Sequence, residues 1–590
     1  MELWFLSNPE ILRREREAFN ALQANKSWLS GLDWAIEDQQ LCVYVVINVA
    51  NTEYKAKLVY SKHFPDAPPI VLPQLPARRW STHQYGENGS LCLEWGPDNW
   101  VSSVTGAEMV VSMYNLLASE NPVDVQQNNN ERIIAPSRHS LEIGQEIRGR
   151  YCRYVATKTL LEHISKSGAS SNKAMKYSLN WLPGSLVAMI HEIGCKEHND
   201  LWTDMLVPSN LNGRDDAKDL HDGLFLLHSS FTDASLKSVD AFDKLMDVIA
   251  SAGFDRNNIA AELKGFIEQK KVLGICLLNC DKTINFYISF DANKIYRLCS
   301  IYDDISEISM HDNALILSKK VCIIGLGSVG SKIADTLARI GVKKFHLVDY
   351  DIFLPHNIER HVLHWEDVGE HKTKVVKRML EKIVKNAEIS ISEINLTGQE
   401  SNLNLDTCLM KIAQCDLIID ATANDRVFNL MSSVVKREKK PFLWMGVFEG
   451  GKGGLIARYL PDKDPFPEVI RAAFNQFCIE NPFPESKKAM YYASEDQQGK
   501  IMVASDADVS VIAYNAARIC IDCLLESYEY KYQTYLIGLG CWWVFKCPLD
   551  IIPIDCSSWK QVKSSVDAAS GFTGEDKKFL EDLVQKKEKK

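Results

Sequence analysis

The run VCIIGLGSVGSKIADTL at 321–337 constrains this chain most, because Gly325, Gly327 and Gly330 stand between an apolar strand and a helix. The first glycine permits a tight turn, the second lets phosphate approach the backbone, and the third lets helix and strand pack closely. The helix N-terminus that follows supplies free N–H groups and positive dipole to an anion. Such a turn alone also serves packing, but here the next strand, KKFHLVDYD, ends with Asp349, 19 residues beyond Gly330. A carboxylate at that place suits a ribose hydroxyl. CDLIIDATA and KPFLWMGVF repeat the alternation of helix and apolar strand. The pattern predicts a doubly wound, Rossmann-like α/β sheet that binds a nucleotide.

The residues past the second strand separate two chemistries. IFLPHNIERHVLHWEDVGEHKTK places Asn357, Arg360 and Lys372 together beyond Asp349 and Asp351. Hydride transfer does not need two cations beside a phosphate loop. Adenylation does, since charge develops on the α-phosphate and on departing pyrophosphate. This ordered set resembles the ThiF-type adenylation domain of ubiquitin-activating enzymes and their bacterial sulfur-carrier relatives. The resemblance implies that ATP is the nucleotide, that Asp349 holds its ribose, and that Asn357, Arg360 and Lys372 handle the phosphates. It departs at DLIIDATAND, where Ala423 stands before Asn424 in place of the family's magnesium-binding aspartate. Asp420 or Asp425 is the neighbouring carboxylate left to hold Mg²⁺, which accepts one or two carboxylates plus phosphate oxygens and water.

The rest of the chain is too long for one core, and its 590 residues fit three or four domains. At 46% hydrophobic and 24% charged it reads as globular. A net charge of −10 argues against nucleic acid as a partner held by bulk electrostatics. No apolar run reaches the ~18 residues of a membrane helix. The 16 cysteines lack framework spacing, which fits reduced thiols and a cytoplasmic protein. Cys520 and Cys523 form one C-x-x-C on an apolar stretch without a second pair, so a four-cysteine zinc site is not expected. In AMIHEIGCKEH, His191 and His198 lack one-turn spacing, and the expectation is surface and boundary polar residues rather than a metal site.

At the N-terminus a capped helix over 8–24, strands over 41–60, the turn FPDAPPIVLP and a helix over 106–119 make a compact α+β unit. With HQYGENGSLCLEW and Trp100, this segment resembles a ubiquitin-conjugating enzyme core. That resemblance makes Cys92 the acceptor thiol and keeps His83 from the family's His-Pro-Asn element. Gln84 and Tyr85 replace its Pro-Asn pair, so the oxyanion-stabilising asparagine is missing and another donor is required. Cys478, in FNQFCIENPF, stands where an activating thiol is expected, with Cys541 and Cys547 as alternatives.

By domain order the chain resembles the activating–conjugating fusions of bacterial CBASS antiphage operons. The expected domains are a conjugating-like module at 1–122, a linker and mixed α/β middle domain at 123–310, and an activating-like module at 311–590. The resemblance implies a homodimer that adenylates the C-terminus of a cGAS-like nucleotidyltransferase and passes it through two thioesters to an amine on a target protein. A sulfur-carrier adenylyltransferase, a nicotinamide-dependent oxidoreductase and a non-catalytic scaffold are the alternative readings.

Overall fold

The computed structural model describes residues 3–74, 79–81, 83–85, 89–120, 144, 147–168, 170–196, 199–208, 220–228, 230–232, 235–236, 239–268, 273–278, 283–290, 294–302, 314–483, 489–490, 493–495 and 501–559. The linker expected at 124–133, His198 and the charged C-terminal run lie outside them. The chain divides into two compact units, Met1–Arg148 and Gly149–Lys590. Among the described residues no helix is long and apolar enough to cross a membrane.

The first unit opens with one helical turn, α1 (Trp4–Ser7), and α2 (Pro9–Asn25). The Asn8 side chain accepts from the Ile11 N–H and Pro9 occupies the first turn, so two local signals start α2. β1 (Leu29–Glu37), β2 (Gln40–Val49), β3 (Thr52–Val59) and β4 (Ile70–Pro73) follow as an antiparallel meander in sequence order. Period-two alternation aims Val43, Val45 and Ile47 of β2 inward, where α3 (Gly106–Glu120) covers them with Met109, Val110 and Met113. Glu15, wholly buried on α2, accepts from the Tyr60 hydroxyl at 2.6 Å and the Gly106 N–H at 2.7 Å. One carboxylate thus ties α2 to the end of the sheet and to the start of α3. Burial raises its pKa even so.

In the second unit, β5 (Cys152–Ala156), α4 (Lys158–Lys166), β6 (Ser170–Leu182), β7 (Ser185–Ile193), β8 (Trp202–Thr203) and β9 (His221–His228) come first. After α5 (Phe242–Ser251) and α6 (Arg256–Glu268) come β10 (Leu273–Leu278), β11 (Ile284–Ser289), β12 (Tyr296–Arg297) and β13 (Cys299–Tyr302). They make a mixed sheet of order β12-β11-β10-β9-β6-β7-β5-β13, with β8 beside β7. Here one expectation is corrected. His191 is not a surface or boundary residue but is 5% exposed on β7, its ring nitrogen 2.9 Å from the Ser178 hydroxyl. The run SLVAMIHEI is buried on both faces, so its polar member found a partner instead of water.

Past α7 (Ala314–Ser318) the second unit builds a second large sheet from β14 (Lys320–Ile324), β15 (Lys344–Val348), β16 (Glu388–Ser392), β17 (Leu417–Asp420), β18 (Phe442–Phe448), β19 (Gly453–Tyr459), β23 (Thr534–Gly538) and β24 (Ile551–Ile554). A separate three-stranded sheet holds β20 (Ala489–Met490), β21 (Ala493–Glu495) and β22 (Ile501–Val503). The helices between are α8 (Ser328–Arg339), α9 (Lys372–Ile383), α10 (Asn402–Ala413), α11 (Asp425–Glu438), α12 (Pro467–Glu480) and α13 (Asp506–Leu525). The sheet order is β16-β15-β14-β17-β18-β19-β23-β24; the first five strands run parallel and the last three pair antiparallel. This is the mixed α/β, Rossmann-like architecture expected of the C-terminal region. β14 has β15 on one side and β17 on the other, so the strand order reverses around it. A crevice beyond the carboxyl ends of the strands belongs at that point.

Candidate functional site

At the carboxyl ends of these strands stand the glycine turn after β14, Asp349 after β15 and, from the last residue of β17, Asp420–Asn424. Gly325 sits at φ +85°, and a Cβ there would meet the Thr422 Cγ2 at 2.8 Å. At Gly330 a Cβ would lie 1.9 Å from the carbonyl oxygen of Gly325. Both positions therefore require glycine: one for backbone sign, the other for contact between the first turn of α8 and the loop. Gly327 caps α8 without a side chain, leaving the helix N-terminus open to a ligand.

Asp349 is 9% exposed and accepts from the Leu326 N–H at 2.6 Å and the Asp351 N–H at 2.8 Å. It so clasps the glycine loop from the neighbouring strand. Desolvation outweighs Lys372 and these amides and raises its pKa. The Lys372 ammonium, 8% exposed, lies 2.9 Å from the Asp351 carboxylate, a short-range pair held at the first residue of α9. Arg360 follows the turn in which the Asn357 side chain accepts from the Leu354 N–H at 2.9 Å. The structure thus brings Gly325, Gly327, Gly330, Asp349, Asp351 and Lys372 to one end of β14 and β15, with the Asn357–Arg360 turn fastened to α8.

Two fastenings were not foreseen from the sequence. Lys332 is 3% exposed on α8; its ammonium donates to the Arg360 carbonyl at 2.8 Å and pairs with Asp506 at 2.7 Å. His361 bonds through Nε2 to the Leu326 carbonyl at 2.8 Å. Together they bind the arginine turn to both helix and glycine loop. A lysine on the second turn after a glycine loop was the available signal, though exposed helix lysines look the same in sequence.

On the other flank, Asp420 is 2% exposed and accepts from both the N–H and the hydroxyl of Thr422, at 2.9 and 2.6 Å. Burial pushes its carboxyl up to about 6. Asn424 caps α11 by accepting from the Arg426 and Val427 N–H groups, and Ala423 beside it is held at φ +50°. Asp425 is ion-paired with Arg471. These contacts all fall on Oδ1, which leaves Oδ2 of each carboxylate for Mg²⁺, an ion that takes one or two carboxylates beside phosphate oxygens and water. Among the described residues no group of three His, Cys, Asp or Glu could hold a metal. Between α11, α12 and the sheet lies a cavity of about 660 Å³, its open mouth included, walled by Phe428, Trp444 and Phe474 with Arg471 beside them.

The thiols differ in setting. Cys92, half-buried in the first unit, donates its N–H to the His83 carbonyl at 2.8 Å. Cys478 is half-buried on α12, and burial pushes its thiol up to about 11. Cys541 and Cys547 are exposed between β23 and β24. Cys520 and Cys523 are buried along α13, as an apolar helical face requires.

Three buried imidazoles, His191, His346 and His361, are each pushed down to about 4, chiefly by desolvation. Between about pH 4 and 6.5 the unfolded chain binds more protons at them than the folded chain. Their stabilisation is complete above about pH 6.5 and is lost as pH falls through about 4. Asp420 acts in the opposite sense over part of that range. The expected result is a urea midpoint that drops from pH 7.5 to 5, and a smaller drop in His346→Gln; equal drops would contradict the assignment.

Compared with known proteins, residues 302–537 match the ThiF family. The "ATP-dependent ubiquitin transferase-like protein Cap2" of Enterobacter hormaechei subsp. hoffmannii (strain UCI 50) is 32% identical over 128 residues, 22% of this chain and 20% of that protein. The "Adenylyltransferase and sulfurtransferase MOCS3" of Aedes aegypti is 28% identical over 226 residues, 37% of this chain and 48% of that protein. The chain thus spans about a fifth to a half of the length of these relatives. The crystal structure of E. coli MccB with ATP overlaps 41% of this chain and 65% of its own at 20% identity, with a TM-score of 0.32.

Proposed function

Because the chain carries a ThiF-family domain and is similar to Cap2 proteins, we propose that it adenylates the C-terminal carboxylate of a protein and relays it through thioesters to an amine. The observation that carries the reading is the crevice at β14: a loop tight enough to demand Gly330, an uncapped helix N-terminus, and Lys372 with the anchored Arg360 turn at its edge. ATP supplies the leaving group. The carboxylate oxygen forms a bond to the α-phosphorus and pyrophosphate departs. In this reading Asp349 takes the ribose and Asn357, Arg360 and Lys372 take the phosphates, Lys372 exchanging Asp351 for phosphate oxygens. Fixed cations of this kind stabilise charge where it develops. Asp420 or Asp425 would hold Mg²⁺ through its remaining oxygen, and the ion would supply further charge to neutralise the phosphates.

A thiol of the same module then displaces AMP. Exposure favours Cys541 or Cys547 over Cys478, whose raised pKa leaves little thiolate at neutral pH. Transfer to Cys92 and attack by a target amine complete the relay. Following the sequence resemblance, the acyl donor is a cGAS-like nucleotidyltransferase and the enzyme acts as a homodimer. The test is exchange of labelled pyrophosphate into ATP, with and without a protein donor. Exchange that depends on the donor's free C-terminal carboxylate is expected; its absence with every donor tried would remove the first step.

A further inference from the structure

The His-Pro-Asn asparagine expected beside Cys92 is missing, and the folded loop brings a different side chain to that face. Gln84 and Leu91 form an antiparallel bridge, the Cys92 N–H bonds the His83 carbonyl at 2.8 Å, and the Tyr85 N–H bonds the Ser90 carbonyl at 3.0 Å. In such a pairing residues directly opposite share a face and neighbours alternate. His83, Tyr85 and Cys92 therefore stand on one face, with Gln84 on the other. The Gln84 side chain fixes that arrangement: its oxygen accepts from the Trp80 N–H at 2.8 Å and its amide donates to the Gly89 carbonyl at 3.2 Å. Gly89 is pressed so closely on Tyr85 that a Cβ would fall 1.4 Å from the Tyr85 carbonyl oxygen. Tyr85 is 69% exposed, unusual for a large aromatic held so firmly at its backbone. Cys92 is the largest influence raising the pKa of the Tyr85 phenol, ahead of desolvation, as fits two side chains on one face of the bridge.

We propose that Tyr85 is a catalytic residue of the Cys92 centre, its phenolic O–H donating to the oxyanion that forms when an amine attacks the Cys92 thioester. The amine nitrogen forms a bond to the thioester carbon, and the carbonyl electron pair moves to oxygen, where the Tyr85 O–H meets it. Collapse re-forms the carbonyl and breaks the C–S bond; Cys92 leaves as thiolate, and the proton shed by nitrogen returns to solvent or sulfur. Gln84 is a positioning residue that locks the loop from behind. The inference rests on Cys92 being the acceptor thiol, as proposed above, but not on the nucleotide site.

The two are separable by experiment. Cys92 of the full chain is loaded from a synthetic peptide thioester of mercaptoethanesulfonate, with no ATP present, and the rate of aminolysis by free lysine is followed by mass spectrometry. Once loaded to completion, Tyr85→Phe is expected to discharge about 10²-fold more slowly than the wild type, the usual scale for removing one oxyanion donor. Because the ring is retained at an exposed place, its far-UV spectrum and melting should match the wild type. Discharge within threefold of the wild type would overturn the proposal, as would a wild-type thioester inert to amines. Failure of ATP-dependent loading, with the chemically loaded enzyme still discharging through Tyr85, would instead count against the adenylation reading alone.

Discussion

Gly330→Ala should reduce ATP–pyrophosphate exchange by at least about 10²-fold, the loss that follows when a reacting site is displaced by about an ångström. The new Cβ would fall 1.9 Å from the Gly325 carbonyl oxygen, and that oxygen cannot retreat freely. Gly325 is itself held at φ +85° against Thr422 and Ala421, and its N–H bonds the Val348 carbonyl at 2.9 Å. The start of α8 must therefore move away from the loop. Any such movement drags Lys332, which holds the Arg360 carbonyl, and loosens the Leu326 contacts with Asp349 and His361. One methyl group so reaches the phosphate loop, the ribose carboxylate and the arginine turn together. The overlap should also lower stability by about 1–3 kcal/mol, the range for overpacking. An exchange rate near the wild type, with the melting temperature unchanged, would mean that this loop does not hold the nucleotide.

How legible this was depends on the range of the signal. The β14–α8 turn is local: strand hydropathy, three glycines and a helix start occur within 17 residues, and the structure returns them where the sequence put them. Asp349 was legible because a parallel sheet fixes the distance from one strand end to the next. Lys332 and His361 were not, since their roles depend on α13 and the arginine turn meeting α8 from elsewhere in the chain. His191 misled for a related reason: its spacing from His198 excluded a helical metal pair but could not show that the middle sheet buries β7. Tyr85 was read only as a departure from a pattern. Proposing it as a donor requires the bridge between Gln84 and Leu91, which puts Tyr85 on the same face as Cys92.

Cys92→Ala should leave donor-dependent pyrophosphate exchange unchanged and abolish the amine-linked product, a loss of about 10³-fold or more in ligation. Exchange needs only the crevice at β14, which is built from residues of the second unit. Ligation needs a thiol that can hold the acyl group as a thioester and present it to an amine. With that thiol gone, the acyl group should accumulate as a thiol-sensitive adduct on the second unit, where an exposed cysteine waits. Cys541→Ala and Cys547→Ala, made singly and together, should remove that adduct, whereas Cys478→Ala should keep most of it because burial already holds its sulfur in the protonated form. Reducing and non-reducing gels with each variant distinguish the arrangements. A sulfur-carrier enzyme would form every product without Cys92, so an unchanged product pattern in Cys92→Ala would favour that chemistry. Loss of ligation with exchange intact would place the two thiols in series, the second gaining effective concentration from being tethered to the first.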